Sequence, residues 1–276
     1  MKSDYSLNRL TDEERNQFDT EGYLVVPDAL SFKETRHIAE TIEKLNRDGS
    51  LGNESHFGFE SRVHKPDFLH LHPVFEELLD HPNVFPKVAD ILGWNIYLYH
   101  SHLSISPGNN EDSSTTALQW HQDSGRSTSD MYEIEIPARL SLKVAFYLSD
   151  VSKLNRGPTW FVPGSHLQRS LDIPTNQQPN GAIPATVPAG GAIIFDRRLW
   201  HAASPNTSDV TRLALMYGYG YRWIRPKDEM TITGEMIQRS GAIRRQLMGQ
   251  TSSENNRYSP DSNDVPLRDF MALASN

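Results

Sequence analysis

The chain has no cysteine, so neither a disulfide framework nor a thiolate metal site is open to it, and any metal must be held by His, Asp and Glu. No stretch approaches the roughly 18 consecutive apolar residues of a membrane span, and the opening MKSDYSLNRL lacks the apolar run of a secretory signal. A cytoplasmic protein without a membrane partner is expected. Positive charge is also scarce: 27 Lys and Arg against 35 Asp and Glu leave a net charge of −8. That balance argues against a nucleic-acid partner and leaves a small molecule as the expected one, with the oligomeric state open. No Gly/Ser-rich linker or charge run divides the chain before about residue 249. With 276 residues, 37% of them hydrophobic, one domain over 1–276 is expected.

Helical signals come first. Thr11 with Glu14 is a capping-box pattern, and Gly22 closes the helix it starts; strand YLVVP follows at Tyr23. Ser31 with Glu34 opens a second helix, whose Ile38, Ile42 and Leu45 recur at helical spacing. A third helical stretch runs over about 74–92, interrupted near Pro82. Beyond residue 94 the period changes to alternation, and WNIYLYHSHLSIS, ARLSLKVAFYLSD, TWFVPGSH, GGAIIFDRRLWH and TRLALMYGYGYRW read as strands. A mainly β fold with flanking helices is expected, with about 1–93 as helical support, 94–225 as the β core and 226–276 as a C-terminal helix and polar loop. The polar, turn-rich GQTSSENNRYSPDSNDVP reads as a mobile surface loop that could act as a lid. In ARLSLKVAFYLSD, Leu140, Leu142, Val144, Phe146 and Leu148 share one face, and Arg139, Ser141, Lys143, Ala145 and Tyr147 the other. The second face meets solvent or lines a polar cavity.

QWHQDSGR places His121 and Asp123 two positions apart, so that on an extended strand an imidazole and a carboxylate project side by side. His201, at the end of GGAIIFDRRLWH, is the third candidate ligand. Two histidines and one carboxylate on one face of a metal leave three coordination positions open, as in non-haem iron oxygenases. Arg212 follows on the strand returning from His201, where a guanidinium can grip a carboxylate bidentately; a surface ion pair is the alternative.

In combination these stretches resemble the phytanoyl-CoA dioxygenase branch of Fe(II)/2-oxoglutarate-dependent oxygenases. LTDEERNQFDTEGYLVV is similar to the family's opening, WHQD to its His-x-Asp segment, VPGSH to its turn, and the WH followed by Arg212 to its distal histidine and arginine. The resemblance implies a double-stranded β-helix (jelly-roll, cupin-like) core, His121, Asp123 and His201 as catalytic iron ligands, and Arg212 as the anchor of the distal 2-oxoglutarate carboxylate. It implies oxidative decarboxylation of 2-oxoglutarate by O2 to succinate and CO2, with oxygen delivered to an unactivated carbon. Because Asp123 occupies the position that is a small residue in related halogenases, hydroxylation is expected over halogenation. Desaturation, cyclisation or epimerisation would use the same residues. A metal-binding cupin without catalysis, or a zinc hydrolase, is the alternative of another class, and neither needs the Arg212 clamp.

Around this set, Ser204 in HAASPN, Ser141 and Lys143 are expected co-substrate contacts, and Gln119, Arg126, Arg197 and Trp160 candidate substrate contacts. Arg126, Arg222 and Arg225 would give the mouth a positive rim suited to an anionic substrate. Arg198 should point away. Trp120, Trp160 and Trp200, beside site segments, are expected to pack outward as neighbours of inward residues, with a substrate contact the alternative for Trp160. His100, His102 and His166 show no comparable pairing, and His64, His70 and His72 read as loop histidines.

Overall fold

The computed structural model of the chain describes residues 8–52, 63–108, 118–123, 138–168, 170–173 and 177–273. Helix α1 (Asp12–Glu21) begins at the Thr11/Glu14 capping box and stops where Gly22 turns to φ 86°. Strand β1 (Tyr23–Val26) leads to α2 (Phe32–Arg47), which opens on the Ser31/Glu34 box and buries Ile38 and Ile42. The third helical stretch is two helices, α3 (Pro73–Glu77) and α4 (Phe85–Leu92), with Pro82 in the turn between them.

The strands are β2 (Val63–Pro66), β3 (Ile96–Ser106), β4 (Ser141–Tyr147), β5 (Thr159–Phe161), β6 (Ile183–Ala185), β7 (Ala192–Asp196), β8 (His201–Ala203) and β9 (Arg212–Tyr221). They form an antiparallel six-stranded sheet, β1-β7-β4-β9-β3-β2, and a three-stranded one, β6-β5-β8. Both edges of the large sheet come from the region read as helical support: β1, the expected strand at Tyr23, pairs onto β7, and β2, an unexpected strand, pairs onto β3.

The alternation of β4 sorts two cores. Leu142, Val144 and Phe146 pack with Leu215, Tyr217 and Tyr219 under the helices. Ala145 and Tyr147 pack with Ile193, Phe195, Ala214 and Phe161 between the sheets. The second face of β4 is therefore internal, and every β4 residue is buried. The phenols of Tyr217 and Tyr219 donate to the carbonyls of Phe75 (2.8 Å) and Leu79 (2.8 Å), fastening the α3 region to the sheet by polar groups at the tips of apolar rings.

Two expectations are corrected. GGAIIFDRRLWH is not one strand: Asp196, fully buried, accepts from the Arg198 backbone N–H (2.9 Å) and guanidinium, which turns the chain so that β7 and β8 lie in different sheets. Among the described residues the C-terminal region holds three α-helices, α5 (Gly234–Arg239), α6 (Ala242–Leu247) and α7 (Pro266–Leu273), rather than one helix and a loop. In the segment read as a mobile lid, Asp264 accepts from Ser252 N–H (2.6 Å) and hydroxyl (3.0 Å) and from Asn256, while Val265 and Leu267 are buried. These two apolar anchors hold it down, and the leading composition concealed them. No helix among the described residues is long and apolar enough to cross a membrane.

Candidate metal centre

His121 and His201 exchange backbone hydrogen bonds (3.0 and 2.9 Å), and Asp123 N–H donates to the Arg197 carbonyl (2.9 Å). Backbone pairing thus sets the His-x-Asp segment beside β8, and one ligand atom from each of His121, Asp123 and His201 lies within 4.8 Å of the others. Each imidazole Nδ1 donates to the carbonyl two residues earlier, His121 to Gln119 (3.0 Å) and His201 to Leu199 (2.8 Å). A carbonyl can only accept, so Nδ1 carries the hydrogen and Nε2 keeps its lone pair.

Asp123 Oδ1 accepts from Lys143 Nζ (2.7 Å), whereas Oδ2 is buried without a partner and lies 3.8 Å from His201 Nε2. A buried carboxylate oxygen left unpaired is costly, and a cation between it and the two lone pairs removes the cost. Two imidazoles and one carboxylate suit a borderline divalent ion such as Fe(II). Asp123 and His201 are buried and His121 is exposed, so the centre opens on one side. Burial alone would raise the Asp123 pKa, but Lys143 beside it overrides burial and holds the carboxyl well below its usual range. His201 is pushed down to about 4, chiefly by burial, and so is neutral and ready to ligate.

Arg212 opens β9 at 7% exposure and donates to the Gly157 carbonyl, the Ser204 carbonyl (3.4 Å) and Ser106 Oγ (3.0 Å), its cross-strand partner. At Gly157, φ 72°, a Cβ would sit 2.8 Å from the guanidinium, so glycine permits the approach. The Tyr147 phenol hydrogen-bonds Thr159 Oγ1 (2.7 Å) within electrostatic reach of Arg212. Ser106, Tyr147 and Thr159 are site residues that sequence reading passed over. Alternation put Tyr147 on the face of Lys143 without deciding whether that face was internal, and nothing local tied it to Arg212.

The other candidates divide. Lys143 touches the centre directly. Ser141, on the same face, donates to the Tyr99 hydroxyl (3.1 Å). Ser204 turns its hydroxyl to the Pro158 carbonyl (2.6 Å) and contributes to the Arg212 pocket only through its own carbonyl. Gln119 serves His121 with its backbone, and its side chain is exposed. Arg197 is buried, gives its carbonyl to Asp123, and lies in the electrostatic field of Tyr99 and Asp123. Arg126 lies outside the described residues. Trp160 pairs with Ala202 and so faces away from His201; Phe161, paired with His201, is the inward residue, its ring 6.3 Å from the imidazole. A one-residue parity decides this, and only the register reveals it. Of the arginines expected at the mouth, Arg222 is fully buried, its N–H bonded to the Asn95 carbonyl, and cannot form a rim. His166 donates to the Asp19 carbonyl (3.2 Å) as a turn residue. His100 and His102, read as unpaired, pair with each other (3.0 Å).

A family model described as Phytanoyl-CoA dioxygenase (PhyH) matches residues 18–214. The ectoine dioxygenase of Stutzerimonas stutzeri (strain A1501) is 23% identical over 257 residues, 80% of each chain. Among solved structures, HygX from Streptomyces hygroscopicus with nickel and 2-oxoglutarate bound gives a TM-score of 0.65 at 19% identity, over 82% of this chain and 94% of its own. The non-haem alpha-ketoglutarate-dependent carbocyclase SnoK from nogalamycin biosynthesis gives 0.61 at 23% identity, over 84% and 91%. The facing sheets are accordingly a double-stranded β-helix, and the chain belongs to the phytanoyl-CoA dioxygenase family.

Proposed function

We propose that this protein is an Fe(II)- and 2-oxoglutarate-dependent dioxygenase that hydroxylates an unactivated carbon of a small or medium-sized organic substrate. The observation that carries this reading is Asp123 Oδ2, buried without a hydrogen-bond partner beside two imidazoles with free Nε2 lone pairs, with the Arg212 pocket at the start of β9, the next strand in the chain after β8 and part of the other sheet. Iron with 2-oxoglutarate supplies O2 activation, with release of succinate and CO2. His121, Asp123 and His201 would hold the metal. Lys143 occupies Oδ1, leaving Asp123 one oxygen for the ion. Arg212, flanked by Ser106 and the Tyr147–Thr159 pair, would take the distal carboxylate of 2-oxoglutarate, and burial strengthens that contact. Phe195 and Phe161, their rings 5.2 and 6.3 Å from His201, exclude water on the inner side. Asp123 fills the place a halide would need, which favours hydroxylation over halogenation.

The test is succinate formation from 2-oxoglutarate by purified protein with Fe(II) and O2, in wild type, His121→Ala and Arg212→Ala. Turnover in wild type that is lost in both variants supports the reading, as does an added oxygen atom in the product by mass. Iron affinity unchanged in His121→Ala would overturn it, and a product that has lost two hydrogens would replace hydroxylation by desaturation or ring closure.

A further inference from the structure

A second polar system lies on the same face of the large sheet as Lys143. Asp228 pairs with His100 Nδ1, His100 Nε2 meets His102 Nδ1 at 3.0 Å, and the His64 ring lies over His102 at 4.4 Å between centroids. His100 and Lys143 flank Gly218 from opposite neighbouring strands, so both project from the inner face of the large sheet. A Cβ at Gly218 would come within 3.0 Å of the Tyr99 ring and 3.1 Å of His100 Cβ; its absence lets that wall lie flat.

Asp228 is carried by the segment 222–231, which leaves β9 and crosses β3 and β2. The Tyr97 hydroxyl donates to the Ile224 carbonyl, Lys227 N–H to the Tyr99 carbonyl (2.8 Å), and Thr231 N–H (2.8 Å) and hydroxyl (2.6 Å) to Asp67. This strap also places the Lys227 ammonium in the electrostatic field of Lys143 and Asp123.

The chain of imidazoles has a direction. Burial keeps His100 and, more strongly, His102 below the ordinary histidine pKa, so each ring carries one proton. The Asp228 carboxylate only accepts, so His100 Nδ1 holds the hydrogen and Nε2 accepts from His102 Nδ1–H. His102 Nε2 is left as a bare acceptor with no partner among the described residues, and Lys227 lies within its electrostatic reach.

We propose that His102 Nε2 and Lys227 form the substrate-anchoring edge of this centre, and that the substrate presents an anionic group together with an adjacent O–H or N–H donor, as in a phosphomonoester, a hydrogen phosphonate or a hydroxy acid. Asp228 and His100 are positioning residues: they hold the tautomer that makes His102 an acceptor. The inference rests on the oxygenase reading for where the substrate sits.

Inorganic phosphate is the probe, because near neutral pH it carries both charge and a P–OH donor, whereas sulfate carries charge alone. Protein loaded with Zn(II) and 2-oxoglutarate is titrated with each anion by calorimetry. Saturable phosphate binding is expected, about tenfold tighter than sulfate. His102→Phe should abolish that preference, His102→Gln, which keeps an acceptor, should retain it, and Asp228→Ala should lower it. Lys227→Ala should weaken both anions about tenfold. Absence of saturable phosphate binding, equal affinity for the two anions, or unchanged preference in His102→Phe would each overturn the proposal. Failure of 2-oxoglutarate itself to bind the Zn(II) protein would instead refute the oxygenase reading, and is seen in the preceding titration.

Discussion

Replacing Lys143 by Met keeps the side-chain length and removes the charge that faces Asp123 at 2.7 Å, where both side chains are 8% exposed. At an effective dielectric of about 20, that pair attracts by roughly 6 kcal/mol before desolvation is counted. Removing one partner of a buried pair typically costs about 3–5 kcal/mol, because the survivor is left charged and unpaired. The metal-free variant should therefore lose about 3–5 kcal/mol at pH 7 in urea unfolding. The loss has a pH signature. In wild type the Asp123 pKa is depressed, so its contribution to stability is present above the unfolded value of about 3.9 and is lost as pH falls through the folded one. In the variant, burial, already the largest single influence, is no longer outweighed by Lys143 and raises the folded pKa, so the contribution is present at low pH and lost as pH rises. The gap between the proteins should be widest near neutrality and narrow toward pH 4, where Asp123 of the variant takes up its proton while the wild-type carboxylate stays ionised. Saturating Zn(II) should also narrow it at pH 7, since the ion takes over as counter-charge. A gap that is the same at pH 7 and pH 4 would mean that Lys143 matters through packing, and the electrostatic account of the centre would be wrong.

Arg212→Met should weaken 2-oxoglutarate binding by about a hundredfold or more, roughly 3 kcal/mol, while leaving metal affinity within about twofold; calorimetry on Zn(II) protein reads both. Tyr147→Phe leaves Thr159 Oγ1 without its 2.7 Å partner and should raise the KM for 2-oxoglutarate about fivefold at a cost of about 1 kcal/mol in stability, checked by steady-state kinetics and urea unfolding. For His102 the folded pKa is depressed, so the stability it contributes is present above the unfolded value of about 6.5 and lost as pH falls through the folded one. Thermal unfolding should then show Tm dropping more steeply between pH 7.5 and 5.5 in wild type than in His102→Gln; parallel profiles would place the acid sensitivity elsewhere, in His64, His100 or the neighbouring Lys143, Lys227 and Asp228.

What could be read from the chain by itself was local. Capping boxes at Thr11 and Ser31 set helix starts because their partners lie three residues away. The period of β4 sorted Lys143 and Tyr147 onto one face, and the two-residue spacing of His121 and Asp123 marked a candidate ligand pair, since side-chain direction follows from backbone repeat. Tertiary structure decided which faces met. Lys143 reaches Asp123 only because β4 lies opposite the His-x-Asp segment, and Trp160 yields its place to Phe161 because β5 pairs with β8 in one register and not the next. His100 and His102 share a face by the same two-residue spacing, yet Asp228, which gives that pair its direction, arrives on a strap from a distant part of the chain. Periodicity specifies orientation within an element. Register and sheet closure are set by the packing of the whole, and no short window of sequence contains them.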